Sequence, residues 1–266
     1  MRTAFRRRGL LLSGNWGILD WSRRPIASKT FRHLRACRQR ILGDSPKIQY
    51  GLGFRDRPRH RGSLHLEIVP NFIFPTAIWS TLFDDRGTFN AALLEQIYRL
   101  RDQNPKGVAN TNVKGWQSPN DIQTLPEFED LCLRIVQVCQ RIGESQHFMP
   151  DLGFNLQAWA NINPPGASNK IHYHANCHFS GIYYVSLKAP ECGSIFFRDP
   201  RVASRMLSYP ATQATDFTTE EVKMKPEAGR IYVFPGWLEH GVEENQSDED
   251  RISIAFNVLA GRQGSA

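Results

Sequence analysis

From Phe154 to Ala260 the chain runs in short stretches of alternating apolar and polar residues, broken by Gly, Pro, Asn and Asp. Side chains on a strand point to opposite faces in turn, so a period of two marks half-buried strands. Eight are predicted, at 154–162, 170–175, 179–188, 193–198, 220–224, 229–234, 239–244 and 250–260. Short strands separated by turn signals such as Pro164-Pro165-Gly166 and Asp199-Pro200-Arg201 indicate an all-β sandwich or barrel. One long connection, the Ser/Thr-rich 201–219, has the length of a functional loop. Together with Gly115–Ser118 it is expected to line a substrate pocket.

The texture before residue 150 is different. Leu64, Leu66 and Ile68 alternate as an edge strand, and Phe72 to Trp79 reads as a second extended run. Phe89, Leu93, Ile97 and Leu100 carry helical spacing, with Asp84 or Thr88 able to cap. A second helix is predicted over 125–142: Pro126 suits its first turn, and Phe128, Leu131, Ile135, Val138 and Ile142 form its stripe. The expected class is mainly β with flanking helices.

Charge divides the chain more sharply than hydropathy does. Residues 1–62 hold 16 Lys/Arg against three Asp/Glu, whereas the remainder holds 17 against 23. The net +7 therefore resides in the first quarter, and the body is mildly acidic. Three readings of 1–62 stay open: a disordered basic tail, an upstream stretch translated from a misplaced start, and a targeting or nucleic-acid-binding arm. The second is motivated by the lack of Met between Met1 and Met149. The fold is accordingly expected in 63–262, with a helical and edge-strand part over 63–150 and a barrel core over 151–262. Five scattered cysteines with no C-x-x-C pair point to reduced thiols and a cytoplasmic setting. No stretch approaches the roughly 18 apolar residues of a spanning helix, so no membrane partner is expected. The apolar Leu10–Leu12 is too short for a secretory signal.

The candidate chemistry lies in the barrel. His172 and His174 are two apart on a predicted strand and would face one cavity, as a chelating pair requires. His240 opens the seventh strand, and in a jelly roll the second and seventh strands run close together at the mouth. The usual facial triad for non-haem iron is two His and one carboxylate, but the residue two beyond His172 is another His. Either His174 itself is the ligand, or Asn176 or His178 approaches the metal, or one position is left to water or an anion. His172, His174 and His240 are the favoured set, and loading is expected to fail below pH about 6. Arg251 with Ser253 has the form of a carboxylate clamp, a guanidinium fork with a hydroxyl on the same strand face. Tyr183 or Tyr184 would add a phenol to that carboxylate, and only one of them can face inward. Trp116, Trp159, Phe197 and Trp237 read as core or pocket wall.

Several motifs, taken together, resemble a known family. They are Gly115-Trp116-Gln117-Ser118, His172-x-His174, Ser180-Gly181-x-Tyr183-Tyr184-Val185, Phe197-x-Asp199-Pro200-Arg201, Phe234-Pro-x-Trp237-Leu-x-His240-x-Val242 and Arg251-x-Ser253-x-x-Phe256-Asn257. The set is similar to a bacterial and phage family of 2-oxoglutarate/Fe(II)-dependent oxygenases, over about Val69 to Leu259. The resemblance implies a double-stranded β-helix (jelly roll, cupin-like), Fe(II) on His172, His174 and His240, and 2-oxoglutarate held by Arg251. It also implies hydroxylation of a substrate with succinate and CO2 as co-products. Two other classes compete: a three-His cupin-type dioxygenase or isomerase without 2-oxoglutarate, and a non-enzymatic protein binding through its basic arm. The small-molecule or peptide substrate is not legible.

Overall fold

Polar and apolar residues on the last strand set the layers of this protein. In β11 (Arg251–Arg262), Ile252, Ile254, Phe256 and Val258 are buried on one face, while Arg251, Ser253, Ala255 and Asn257 line a cavity on the other. Its neighbour β4 (Leu152–Asn163) repeats the division, with Ala158, Ala160 and Ile162 on the first face and Gln157, Trp159, Asn161 and Asn163 on the second. The two strands pair antiparallel through twelve registered positions, from Arg251 opposite Asn163 to Arg262 opposite Leu152. A one-residue slip would exchange the two faces, so this register fixes which residues face the cavity.

The computed structural model describes residues 68–71, 73–206, 210–215 and 218–262. The readings of residues 1–62 and nearly all of the edge strand expected around Leu64–Ile68 lie outside these residues. Residues Ile73–Ala266 form one compact unit. Its elements are, in order, β1 (Trp79–Leu82), α1 (Arg86–Gln103), β2 (Asn112–Val113), β3 (Trp116–Gln117), α2 (Glu129–Ser145), β4, β5 (Ser168–His172), β6 (Phe179–Ser186), β7 (Ile195–Arg198), β8 (Glu221–Met224), β9 (Arg230–Pro235), β10 (His240–Val242) and β11. They build a six-stranded sheet, β1-β9-β6-β11-β4-β3, and a five-stranded sheet, β2-β5-β10-β7-β8, with every pairing antiparallel. Two facing antiparallel sheets flanked by helices make the expected double-stranded β-helix. All eight predicted barrel strands are present, within four residues at each end.

Both helices pack on the outer face of the six-stranded sheet. Leu131, Ile135, Cys139 and Ile142 of α2, with Leu93 and Ile97 of α1, meet Ile252, Ile254, Phe256 and Val258 in one apolar cluster. Helix α2 begins after a 3-10 turn at Pro126–Phe128, which separates Pro126 from the α-helical ladder. Asp85 rather than Asp84 or Thr88 stands at the N-terminus of α1, and it makes no side-chain cap; its carboxylate pairs with Arg134 of α2 instead (2.7 Å). A second cluster of Ile182, Tyr184, Ile195, Phe197, Tyr232, Phe234, Leu238 and Val242 closes one end of the space between the sheets. The other end stays open as a polar cavity.

The pairing of β6 with β11 skips a residue, since Ile252 faces Ser186 while Ser253 faces Tyr184. Val185 is the extra residue, and its carbonyl accepts a hydrogen bond from the buried Asn90 amide of α1 (2.8 Å). The Asn90 oxygen in turn accepts from the Tyr183 hydroxyl. Asn90 therefore satisfies two groups that the bulge and burial would otherwise strand, and fixes α1 to the sheet.

Candidate active site

Residues from both sheets converge on one cavity of about 300 Å3. From the five-stranded sheet, His240 on β10 stands directly opposite His172 on β5. Their ring centroids are 4.3 Å apart. His174 lies two residues past the end of β5 rather than within a strand, as the i, i+2 reading had it. It is nevertheless turned into the same space, with its ring 4.9 Å from His172 and 5.2 Å from His240. Its backbone N–H donates to Gly236 O (2.9 Å), which ties this loop to the end of β9. A potential ligand nitrogen on each of the three rings lies within 4.8 Å of the others. Neither Asn176 nor His178 lines the cavity. The His178 ring instead accepts a hydrogen bond from Ala260 N–H (3.1 Å).

Local hydrogen bonds fix the tautomer of two of these rings. His172 Nδ1 sits 2.7 Å from Lys170 O, and His240 Nδ1 sits 2.8 Å from Leu238 O. A carbonyl can only accept, so both Nδ1 atoms carry the proton and both Nε2 lone pairs are free for an ion. Burial is the main cause that lowers all three pKa values, reinforced at His174 and His240 by the neighbouring imidazoles. His174 falls to about 4 and His240 to about 3. The neutral form that ligates is thus held well below the ordinary imidazole range.

Arg251 is the largest fully buried side chain of the described residues, 1 % exposed, and it lines the same cavity. Its Nη1 donates to the carbonyls of Cys192 and Glu243, the latter at 3.1 Å. Its Nη2 is buried and has no hydrogen-bond partner. The loop before it is knotted by Asn245, whose amide donates to Asn163 O (2.9 Å) and Glu249 O (2.8 Å) and accepts from Ser247. A buried cation with an unused donor is expensive unless an anion meets it. Next to Arg251 along the inward face of β11 is Ser253. Tyr184, Ser253, Asn161 and Gln117 are successive cross-strand partners over β6, β11, β4 and β3, and so form one row. The hydroxyl of Tyr184 and the side-chain oxygen of Asn161 are also buried without a partner.

Of the two candidate tyrosines, the structure turns only Tyr184 inward. Tyr183 is on the helix face with its hydroxyl on Asn90, packed against Phe83 and Phe89, and this corrects its expected place beside Arg251. The alternation of β6 dictates the outcome: Ile182 and Tyr184 join the inner cluster, while Phe179, Tyr183 and Val185 join the outer one. Trp159 lines the cavity with its ring 5.8 Å from His174, while Phe197 and Phe234 pack beside His240. Gln117 reaches the cavity from Gly115–Ser118 as expected, but none of the described residues of 201–219 does. The carboxamides of Gln117, Asn161, Asn163 and Asn169 went unread in the sequence. For Asn161 and Asn163 the signal was the inward alternation of β4, with Gln157, Trp159, Asn161 and Asn163 in step. A larger groove of about 820 Å3 between β1 and α2 contains no histidine or cysteine and is not part of this site.

Residues 157–257 match the profile of the family described as "Putative 2OG-Fe(II) oxygenase". Over that segment the chain matches a 2OG-Fe(II) oxygenase domain. Iron and 2-oxoglutarate are the cofactor and cosubstrate of that family. No curated protein matches the chain by sequence. Among solved structures, the oxygenase fold is similar to a prolyl-4-hydroxylase of Pseudomonas putida, at 14% identity and TM-score 0.52, covering 71% of this chain and 94% of that one. It is similar also to the non-heme alpha ketoglutarate dependent carbocyclase SnoK from nogalamycin biosynthesis (13%, TM-score 0.53, 71% and 82%). The epimerase SnoN of the same biosynthesis gives 14% and TM-score 0.50, with 71% and 79% covered. These likenesses are of fold. A hydroxylase, a carbocyclase and an epimerase share it, so the reaction must be argued from the site. Among the described residues, no helix is long and apolar enough to cross a membrane.

Proposed function

We propose that His172, His174 and His240 hold Fe(II), that Arg251 receives the distal carboxylate of 2-oxoglutarate, and that the enzyme hydroxylates an uncharged substrate with release of succinate and CO2. The observation that carries this reading is Arg251. A guanidinium buried to 1 % exposure, with one amino group unpartnered, shares a cavity with three neutral imidazoles. The donor set fits the absent groups: imidazole suits ferrous iron, and a guanidinium fork suits a carboxylate. Three imidazoles leave the ion its full positive charge, which favours the doubly negative cosubstrate. We propose further that the oxygenase domain spans 63–262, with its barrel at 151–262.

Once bound, iron and 2-oxoglutarate supply the oxidising chemistry of dioxygen activation. The chain's own part is binding, orientation and shielding. Arg251 is anchored on two carbonyls before any ligand arrives, so its Nη2 is aimed without further loss of side-chain freedom. Tyr184 remains a neutral donor, because burial raises its phenol pKa. Ser253 lines the same cavity as Arg251 and can give a hydrogen bond to the distal carboxylate, while Tyr184 is its buried cross-strand partner on β6. Trp159 and Phe234 keep water from the imidazoles. The substrate reading rests on the rest of the lining, which holds six Asn and two Gln, and of Asp, Glu, Lys and Arg holds only Arg251. A charged substrate would lose its hydration there without gaining a counter-charge.

The test is anaerobic loading with Fe(II) followed by 2-oxoglutarate. A weak visible charge-transfer band is expected, absent in His240→Ala, and on admission of air succinate should form in step with 2-oxoglutarate loss. Iron binding with no band would favour a three-His cupin chemistry that does not use 2-oxoglutarate.

A further inference from the structure

His172 and His240 have their Nδ1 protons fixed by carbonyls, but the Nδ1 of His174 faces a side chain. The Asn257 carboxamide nitrogen lies 3.3 Å from it, and the Asn257 oxygen accepts from the Ser180 hydroxyl. Asn257 stands on β11 opposite Ser180 on β6, so the two are held in register by the sheet. An amide nitrogen only donates. In this arrangement His174 Nδ1 must offer its lone pair to Asn257, and the proton of the neutral ring sits on Nε2, which then cannot ligate. Turning the carboxamide by half a rotation removes the conflict, and its two orientations differ only in which atoms are called O and N. The oxygen then accepts Nδ1–H from His174, and the nitrogen donates to Ser180 Oγ.

We propose that Asn257, braced by Ser180, is a positioning residue that accepts the His174 Nδ1 proton and thereby presents His174 Nε2 to the metal. It does for His174 what Lys170 O and Leu238 O do for the other two rings. A side chain is needed here because His174 lies beyond the end of β5. This inference rests on the three-imidazole reading above.

Zn(II), a diamagnetic probe that takes imidazole ligands, tests it in the full chain labelled with 15N-histidine. In the wild type, three rings are expected with Nε2 on the metal and a proton on Nδ1, the His174 proton exchanging slowly. Asp at position 257 can accept but never donate at neutral pH. Asn257→Asp should therefore keep the slow His174 proton and bind Zn(II) at least as tightly as wild type. Asn257→Leu should lose that proton signal and bind about 10- to 100-fold more weakly, the usual range for removing such a partner. The near-isosteric Asp variant keeps a folding defect from being mistaken for the effect. Equal weakening by Asp and Leu, no change in either, or His174 bound through Nδ1 would each overturn the proposal while leaving three-imidazole binding intact. A wild-type spectrum with only His172 and His240 shifted by Zn(II) would remove the three-imidazole reading itself, and this inference with it.

Discussion

Replacing Arg251 by Leu removes the guanidinium while leaving every histidine contact untouched. In the intact protein Nη1 is committed to the Cys192 and Glu243 carbonyls, while the buried Nη2 has no partner and can be offered to a ligand. A carboxylate meeting it would form a charge-assisted pair at a position 1 % exposed. Truncating one partner of such a buried pair costs about 2–5 kcal/mol. At about 1.4 kcal/mol per tenfold, that is roughly a 30- to 5,000-fold loss of 2-oxoglutarate affinity. The Fe(II) affinity should stay within about threefold of wild type, because no imidazole loses a hydrogen bond. Arg251→Lys keeps the charge but not the fork, so it should fall between the two. Thermal stability is a poor readout, since the Leu variant strands two carbonyls and relieves an uncompensated charge at once. The assay is titration of 2-oxoglutarate into the anaerobic Fe(II) protein, followed by the charge-transfer band and by calorimetry. If Arg251→Leu binds 2-oxoglutarate within threefold of wild type, the carboxylate is held elsewhere and the reasoning from the free amino group fails.

Two further outcomes concern stability. The folded pKa of His240, about 3, lies below the 6.5 of an unperturbed His, so the unfolded state binds more protons as the pH drops through 6.5. Stability of the metal-free protein is therefore full above that pH and lost below it. His240 alone contributes a loss of about 2 kcal/mol between pH 7 and pH 5, measurable by urea unfolding; equal midpoints at the two pH values would contradict the burial of a neutral imidazole. Asn90→Ala should strand the Val185 carbonyl and the Tyr183 hydroxyl and cost roughly 2–4 kcal/mol, read as a lowered Tm, with Zn(II) affinity unchanged. A change in Zn(II) affinity would mean that the helix face and the site are coupled.

Period-two alternation made the barrel legible, most clearly in β4 and β11, which are buried against apolar residues on one face and lined mainly by polar groups on the other. The approach of His172 to His240 followed from the expected adjacency of the second and seventh strands. What escaped were features that depend on a third dimension. His174 sits past its strand and depends on Gly236 and Asn257, residues far away in sequence. The alternation of β6 sets Tyr183 and Tyr184 on opposite faces, but which face meets the helices and which the cavity is decided by partners far away in sequence, Asn90 among them. The short strands β2 and β3 hold two residues each, too few to carry a period. The inward carboxamides of β4 read as ordinary polar positions until the cavity gave them a common side.

The most direct test of the central claim is the anomalous diffraction map, at the iron edge, of crystals grown anaerobically with Fe(II) and 2-oxoglutarate. One peak is expected, within bonding distance of Nε2 of His172, His174 and His240, with a cosubstrate carboxylate on Arg251 Nη2. A peak bound by fewer than three of these rings, or a 2-oxoglutarate whose carboxylates both avoid Arg251, would contradict it.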